Sequence, residues 1–349
     1  MPVIRVSLVG FGFAGRVFHA PLISATPGLS LSVIGTTQAD SAASAYPDAR
    51  IVPDRLAAVR HPDTDLVVIA TPNDSHAPLA DAALRAGKHV VVDKPFTVTV
   101  AEASALVATA SEAGRIVSVF QNRRWDSDYL GIAREIAMGR IGEVVEFRSE
   151  IGRYRPVVRD RWRERAGPGS GLWYDIGPHL VDQALMLFGP PETVHADLRI
   201  TREGGTATDW FQVRLGYGPK RAVLGSSLTA TEPPPRFIVR GTTGTITKRG
   251  GDSQEDQLVR GEAPGAPGWG HDPDPLVLVS EGSGAPIEIA APPGNYLAYY
   301  SSLRDAIADE GEAPVTPVQA TMVMEIIEAG IRSSSGSGPG IDLQHGVTT

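Results

Sequence analysis

The chain has no cysteine. Disulfides, thiolate metal sites and cysteine nucleophiles are thereby excluded, and the composition agrees with a reducing cytoplasm, the expected location. Long apolar runs are also missing: none approaches the roughly 20 residues that span a bilayer. The N-terminus, MPVIRVSLVGFG, lacks the basic region, long apolar core and small-residue cleavage site of a signal peptide, and reads as a first strand. Positive charge is in deficit. With 32 Lys and Arg against 40 Asp and Glu, the net charge is −8, so neither nucleic acid nor an anionic membrane is expected as the main partner.

At 349 residues the chain is longer than one core usually serves. Two domains are expected, 1–122 and 123–335, followed by a flexible tail, 336–349, that begins in the low-complexity run SSSGSGPG (333–340). In the first domain short apolar runs at 3–9, 31–34, 66–70, 89–92 and 116–120 alternate with Ala-rich helical stretches at 76–86 and 99–113. Thr99 and Glu102 have capping-box spacing, and Gly87 and Gly114 stand where helices end. This alternation predicts a parallel sheet covered on both faces. Beyond residue 122 the segments 143–151, 191–201, 209–216, 221–230, 236–240 and 245–248 predict a largely antiparallel sheet. Helices are expected over 178–188, with Pro178 at the first helical position, and near 296–309 and 317–332. The fold class is α/β with an α+β second domain. Segments such as 209–215 and 221–228 read as apolar on both strand faces, so the second domain is expected to form a homodimer or homotetramer through its sheet.

Gly10, Gly12 and Gly15 form GxGxxG directly after a strand and before a helix. In that context the loop Gly10, Phe11, Gly12, Phe13, Ala14 and Gly15 is expected to receive the pyrophosphate of a dinucleotide. An NAD site places an acid near the end of the second strand, about 20 residues further on. Here Thr36 and Thr37 stand there and no carboxylate comes before Asp40, so NADP is favoured and NAD is the alternative; the threonines also suit a plain turn. Ligands of open parallel sheets bind outside the carboxyl ends of the strands. Two loops therefore belong to one crevice: Thr71, Pro72, Asn73 and His76 after the run 66–70, and Asp93, Lys94 and Pro95 after 89–92. Each residue read singly also fits an ordinary turn, cap or surface charge.

In GSGLWYDIGPHLVD (169–182), Asp175, His179 and Asp182 follow i, i+4, i+7 and fall along one side of a helix. A carboxylate one turn before a histidine can orient it or hold its charge, while Asp182 reads as a solvated or helix-supporting acid. No further ligand cluster has suitable spacing, so no metal is expected.

These pieces, with VFHAPLI, ATPNDSH, VVVDKPF, QNRRWDSDY, RDRWRE and DIGPHLVDQAL in that order, resemble the Gfo/Idh/MocA oxidoreductases over roughly residues 3–335. DKPFTVT, QNRRWDSD and RDRWRE together are similar to the branch that contains NADP-dependent scyllo-inositol dehydrogenases. Most members carry Glu-Lys-Pro where this chain has Asp93-Lys94-Pro95, a departure that keeps the lysine. The resemblance implies a Rossmann domain, a C-terminal domain with a large open sheet, and a catalytic set of Lys94, Asp175 and His179, with Asn122 beside the cofactor. It implies hydride transfer between a nicotinamide and a secondary alcohol or ketone of a small polyol or sugar ring, scyllo-inositol being one candidate. Arg123, Trp125, Tyr154, Arg161 and Trp162 are candidates for the substrate wall, and packing is an equal reading for each. An aldose or trans-dihydrodiol dehydrogenase, or a sensor that binds nucleotide without chemistry, are the rival readings.

Overall fold

The computed structural model describes residues 3–282, 284–308, 311–336 and 341–342. The chain divides into two compact units. The first takes residues 1–125, 253–270 and 295–324; the second takes 126–252, 271–294 and 325–349. Segments 253–270 and 295–324 thus lie within the span 123–335 expected for the second domain, yet group with the first unit.

The first unit holds six parallel strands: β1 Ile4–Val9, β2 Leu29–Gly35, β3 Arg50–Val52, β4 Leu66–Ile69, β5 His89–Val92 and β6 Val117–Val119. Their order is β3-β2-β1-β4-β5-β6, so strand order reverses between β1 and β4, the switch point at which such sheets open a crevice. β4 is buried at all four residues and β5 at Val90, Val91 and Val92, as their Val/Ile/Leu runs require, while β1 is buried except at Arg5. β3, with only three residues and no apolar run, gives no sequence signal. The helix Val100–Ala113 opens on the anticipated capping box: Glu102 N–H donates to Thr99 Oγ1 at 3.2 Å, and Thr99 N–H donates to Glu102 Oε2 at 3.0 Å. Gly114 (φ 59°) and Gly87 (φ 74°) end their helices in the left-handed region.

The late segments join this unit for a physical reason. Asn295 N–H and the Gln254 side-chain amide both donate to the Trp125 carbonyl, at 2.9 and 3.0 Å. Gln254 also accepts from Tyr296 N–H at 2.7 Å. Tyr299 and Tyr300, on the helix Leu297–Ile307, pack their rings 4.9 and 5.8 Å from Phe120, and Ser118 Oγ donates to the Val315 carbonyl.

The second unit is built on nine strands: β7 Val144–Gly152, β8 Thr193–Arg199, β9 Trp210–Tyr217, β10 Lys220–Ser227, β11 Phe237–Gly241, β12 Gly244–Lys248, β13 Leu276–Ser280, β14 Ile287–Ile289 and β15 Ile341–Asp342. They follow the order β14-β13-β12-β11-β7-β10-β9-β8-β15, antiparallel except for the β10–β7 pair. One face packs on the helix Gly171–Phe188: Trp173 stands edge-on to Phe211 at 4.9 Å, and Phe147 lies between Phe188 and Phe237. This helix corrects the expected start at 178. It begins at Gly171 and carries Pro178 in its interior. An interior proline costs about 3 kcal/mol, and burial of Trp173, Ile176, Leu180 and Val181 around it offsets that cost.

Two further expectations are corrected. β9 alternates strictly, with Phe211, Val213 and Leu215 inside and Trp210, Gln212 and Arg214 outside. On the outer face of β10 only Val223 is a sizeable apolar residue, in register with Arg148 and Arg214. Arg221 and Arg240 both pair with Glu146 there, and Arg148 with Glu150. The centre of that face is charged, and on β9 and β10 its large apolar residues are Trp210 and Val223, so the two strands are not apolar on both faces throughout. The serine run is also not a free tail: the helix Pro317–Ser335 includes it, Ser333 and Ser334 hydroxyls accept from Ala196 and Leu198 N–H, and Ile341–Asp342 pairs with β8. Residues 337–340 and 343–349 of the expected flexible tail lie outside the described residues. Among the described residues no helix is long and apolar enough to cross a membrane.

A Cβ at Gly177 would stand 2.5 Å from the Trp173 ring. Alanine gains about 1 kcal/mol of helix propensity, but forcing volume against a rigid buried ring costs about 1–3 kcal/mol. Gly177→Ala should therefore lower the urea midpoint at unchanged slope; a midpoint equal to or above the parent's would show that Trp173 can move aside.

Candidate active site

The loop after β1 is shaped by three glycines with different causes. Gly10 has φ 102°, and a Cβ there would collide with the Ala70 carbonyl after β4. A Cβ on Gly15 would collide with the Gly10 carbonyl. Gly12 is exposed, has no positive φ, and a Cβ on it meets nothing within 4 Å. The protein itself therefore demands glycine at 10 and 15 but not at 12. Gly12 leaves open backbone at the position that lies beneath a pyrophosphate in dinucleotide-binding loops of this form. Phe11 is buried, Phe13 is half exposed with its ring edge-on to Phe18 at 5.9 Å, and Ala14 begins the helical winding, in which Arg16 N–H donates to the Gly12 carbonyl.

At the end of β2, Thr36 is buried and its hydroxyl accepts from Gln38 N–H at 3.0 Å. It serves the turn. Thr37 is exposed, and Asp40 lies in the first turn of the helix Ala39–Ala45. After β4, the Thr71 hydroxyl accepts from Ser75 Oγ at 2.7 Å, Pro72 leads into the turn Asn73–Ser75, and Asn73 is buried. His76 is fully buried between the two expected loops: Nδ1 lies 2.8 Å from the Pro95 carbonyl and Nε2 3.0 Å from the Thr71 carbonyl. A neutral imidazole has one N–H, so both carbonyls are satisfied only by the protonated ring. His76 thus braces the loops with both nitrogens engaged on protein.

β5 ends in Asp93, Lys94 and Pro95, with a cis bond between the last two. Lys94 is partly exposed beyond a buried strand. Its N–H donates to Asp93 Oδ1 at 2.8 Å. Behind it stand two buried residues that the sequence did not single out. His19 Nε2 lies 3.8 Å from Asp93 Oδ1, and His19 Nδ1 lies 2.6 Å from the Tyr300 hydroxyl. With the proton on Nε2 facing the carboxylate, Tyr300 O–H donates to Nδ1. Burial works to raise the Asp93 pKa, but His19, with Lys94 and His76 beyond it, prevails and holds the carboxyl below the usual range. Burial pushes the Tyr300 hydroxyl well above its ordinary value, so it stays a donor. No motif could have announced this group, because Tyr300 lies 281 residues from His19.

Asn122 is buried at the head of the turn Asn122–Trp125. Arg123 donates to Glu255 at 3.0 Å, and Trp125 stands edge-on to Tyr299 at 5.8 Å. Both thus have protein partners in the first unit.

In the second unit, Asp175 and His179 lie one turn apart on the helix Gly171–Phe188. His179 is buried, and Asp175 is partly exposed with Oδ1 3.7 Å from Arg163 Nε. Asp182 is buried, not solvated. Arg161 donates to Glu164 at 2.6 Å, Trp162 carries the Arg163 guanidinium 4.8 Å above its ring, and Tyr154 is exposed, its backbone bridged to Thr229. Among the described residues no group of three or more His, Asp or Glu is arranged to hold a metal ion.

Comparison with known proteins agrees with this architecture. Residues 4–121 match the model described as "Oxidoreductase family, NAD-binding Rossmann fold", and 133–343 that described as "Oxidoreductase family, C-terminal alpha/beta domain". The chain is 47% identical over 333 residues to the uncharacterized oxidoreductase YdgJ of Escherichia coli, covering 95% of this chain and 96% of that one. It is 36% identical over 335 residues to the scyllo-inositol 2-dehydrogenase (NADP(+)) IolW of Bacillus subtilis, covering 95% and 94%. A crystal structure of an oxidoreductase from Klebsiella pneumoniae superposes with a TM-score of 0.92 at 44% identity, covering 99% of this chain and 96% of that one.

The glycine loop gives a clean separation. Gly12→Val should leave the thermal midpoint near the parent's and abolish binding of NADPH followed by its fluorescence, whereas Gly15→Ala should lower the midpoint as well. Retained NADPH binding in Gly12→Val would deny the loop its ligand. The Asp93 carboxylate is checked by pH. Its pKa is depressed in the folded state, so its stabilising contribution is present above the unfolded value, about 3.9, and is lost as pH falls through the folded value. The stability gap between parent and Asp93→Asn in urea should therefore be constant at neutral pH and narrow as the pH falls below about 4. A gap that does not narrow there would mean that the carboxyl is not held charged.

Proposed function

The chain belongs to the Gfo/Idh/MocA family of oxidoreductases, and from that premise we propose that it interconverts a secondary alcohol and a ketone on a polyol or sugar ring, with NADP(H) preferred over NAD(H). The observation that carries the reading is the open backbone at Gly12, where no neighbour within the protein requires a glycine and a bound pyrophosphate would. The scyllo-inositol dehydrogenase among the relatives supports a polyol ring. An exposed Thr37, flanked by Thr36 and Gln38 with no carboxylate before Asp40, supports the 2′-phosphate: a carboxylate at 37 would accept a ribose hydroxyl and repel a phosphate, and a threonine hydroxyl donates to phosphate oxygen without repulsion.

When bound, the nicotinamide accepts or returns the hydride. The protein's work is proton transfer and charge. His179 takes the hydroxyl proton on its imidazole, whose ordinary pKa near 6.5 suits a base at neutral pH. Lys94 stabilises the developing alkoxide with its ammonium group. Its backbone is held through Asp93, and behind Asp93 through His19 and Tyr300. Asp175, one turn before His179 on the same helix, orients the substrate hydroxyl and tunes the pair.

A panel of inositols, aldoses and trans-dihydrodiols with both cofactors tests substrate class and cofactor together. Turnover should be found with a ring polyol or sugar, at kcat/KM higher with NADP(H). Lys94→Ala and His179→Ala should each lose most of kcat, and the double variant should be little worse than either, because groups acting as a unit are not additive. A full multiplicative loss would mean that the two act independently. NADPH binding with no turnover of any panel member would favour a nucleotide-binding sensor.

A further inference from the structure

Residues 153–165, RYRPVVRDRWRER, carry arginine at 153, 155, 159, 161, 163 and 165 in a chain whose net charge is −8. The structure gathers part of this run into one place. A cavity beside Asp175, at the first turn of the helix Gly171–Phe188, is lined by Arg153, Arg155, Arg161, Arg163 and Arg202. Three of these cations already have carboxylates. Buried Glu164 takes Arg161 at 2.6 Å and Arg202 at 3.0 Å, Asp209 takes Arg202 at 3.0 Å, and Asp175 faces Arg163 at 3.7 Å. Arg153 and Arg155 have no carboxylate within ion-pair distance among the described residues.

Their backbone is fixed. Arg153 N–H donates to the Ser227 carbonyl and Arg155 N–H to the Leu228 carbonyl, at 2.9 and 2.7 Å. The carbonyls of Arg155 and Val157 accept from buried Arg202, at 2.9 and 3.3 Å. Burial, and the neighbouring charges of Arg153, Arg161 and Arg159, hold the Arg155 guanidinium below its ordinary pKa. It remains charged at neutral pH. Asp175 at the cavity wall opposes the shift, but like charges prevail, so the fold keeps cations in excess around an open space whose acids, Glu164 and Asp175, already face other arginines.

We propose that this cavity receives an oxyanion, a carboxylate or phosphate group carried by the substrate, so that the ring turned over is a sugar acid or a sugar phosphate. The proposal rests on the reading of Asp175 and His179 as catalytic, since it seats the charged end of the substrate beside them. The enclosed part of the cavity holds about 20 Å³, room for one water-sized group. One edge of the oxyanion enters and the rest stays at the mouth, within reach of forked guanidinium donors that match carboxylate and phosphate oxygens.

The test uses the full chain with saturating NADP(H), so that the glycine loop cannot take the probe. Neutral inositols and aldoses, hexuronates and aldonates, and hexose phosphates are compared by kcat/KM, which also separates carboxylate from phosphate. Inorganic phosphate and gluconate are titrated calorimetrically, independently of turnover. An anionic ring should be preferred over its neutral parent by roughly ten- to a hundredfold, as for a charged hydrogen bond. Arg155→Gln should reduce both that ratio and anion binding by about tenfold or more. Arg155→Lys should retain part of each, and Arg153→Gln should act likewise, with far-UV circular dichroism confirming that the variants fold. Neutral rings preferred, or anion binding indifferent to Arg155 and Arg153, overturns the proposal and leaves the dehydrogenase reading intact. Anion binding that depends on these arginines, with no turnover of any ring, supports the cavity as an oxyanion site and rejects the dehydrogenase reading.

Discussion

The backbone contact between the turn after β1 and the end of β4 is the constraint on which the first unit depends. Gly10 lies so close to the Ala70 carbonyl that no side chain fits, and Gly15 is equally close to Gly10 itself. These approaches bring the loop and its helix down onto the sheet at the point where strand order reverses. They also leave Gly12 standing clear. Two glycines close the fold, and the third leaves the loop's backbone uncovered.

From that crevice the supporting contacts run inward. Lys94 stands at the end of a buried strand, and the residues behind it form a sequence of acid, imidazole and phenol drawn from three distant parts of the chain. His76 does comparable work beside it by engaging both loops through both ring nitrogens. Side chains that a sequence motif would treat alike thus divide into those left exposed in the crevice and those that hold the loops in place. Thr36 and Thr37 divide the same way, one bound into its turn and one exposed.

Periodicity made the parallel sheet, the capping box and most of the second sheet legible, because each rests on residues close in sequence. The glycine motif was legible for the same reason. What was missed rests on distance or brevity. β3 is three residues long, and β13 and β14 lie in a stretch broken by proline and glycine. Pro178 suggests a helix start because local propensity disfavours it inside, and tertiary burial of Trp173 and its neighbours overrules that preference. The outer faces of β9 and β10 mislead because apolar content alone does not tell which side of the strand carries it. His19 and Tyr300 carry no motif, and only the fold brings them to Asp93. The arginines of 153–165 were visible as a run, but which of them lacked an acid could be learned only from Glu164, Asp175 and Asp209.

The return of residues 295–324 to the first unit bears on how the protein is made. Ser118 finds its acceptor in Val315, 197 residues later. At a synthesis rate of roughly 5–20 residues per second, β6 emerges from the ribosome on the order of ten to forty seconds before the residue that completes its hydrogen bonding. Phe120 waits almost as long for Tyr299 and Tyr300. During that interval the nascent sheet carries an uncovered aromatic edge, the kind of surface that chaperones hold. A chain truncated within the second unit would leave that edge exposed however well the glycine loop had formed.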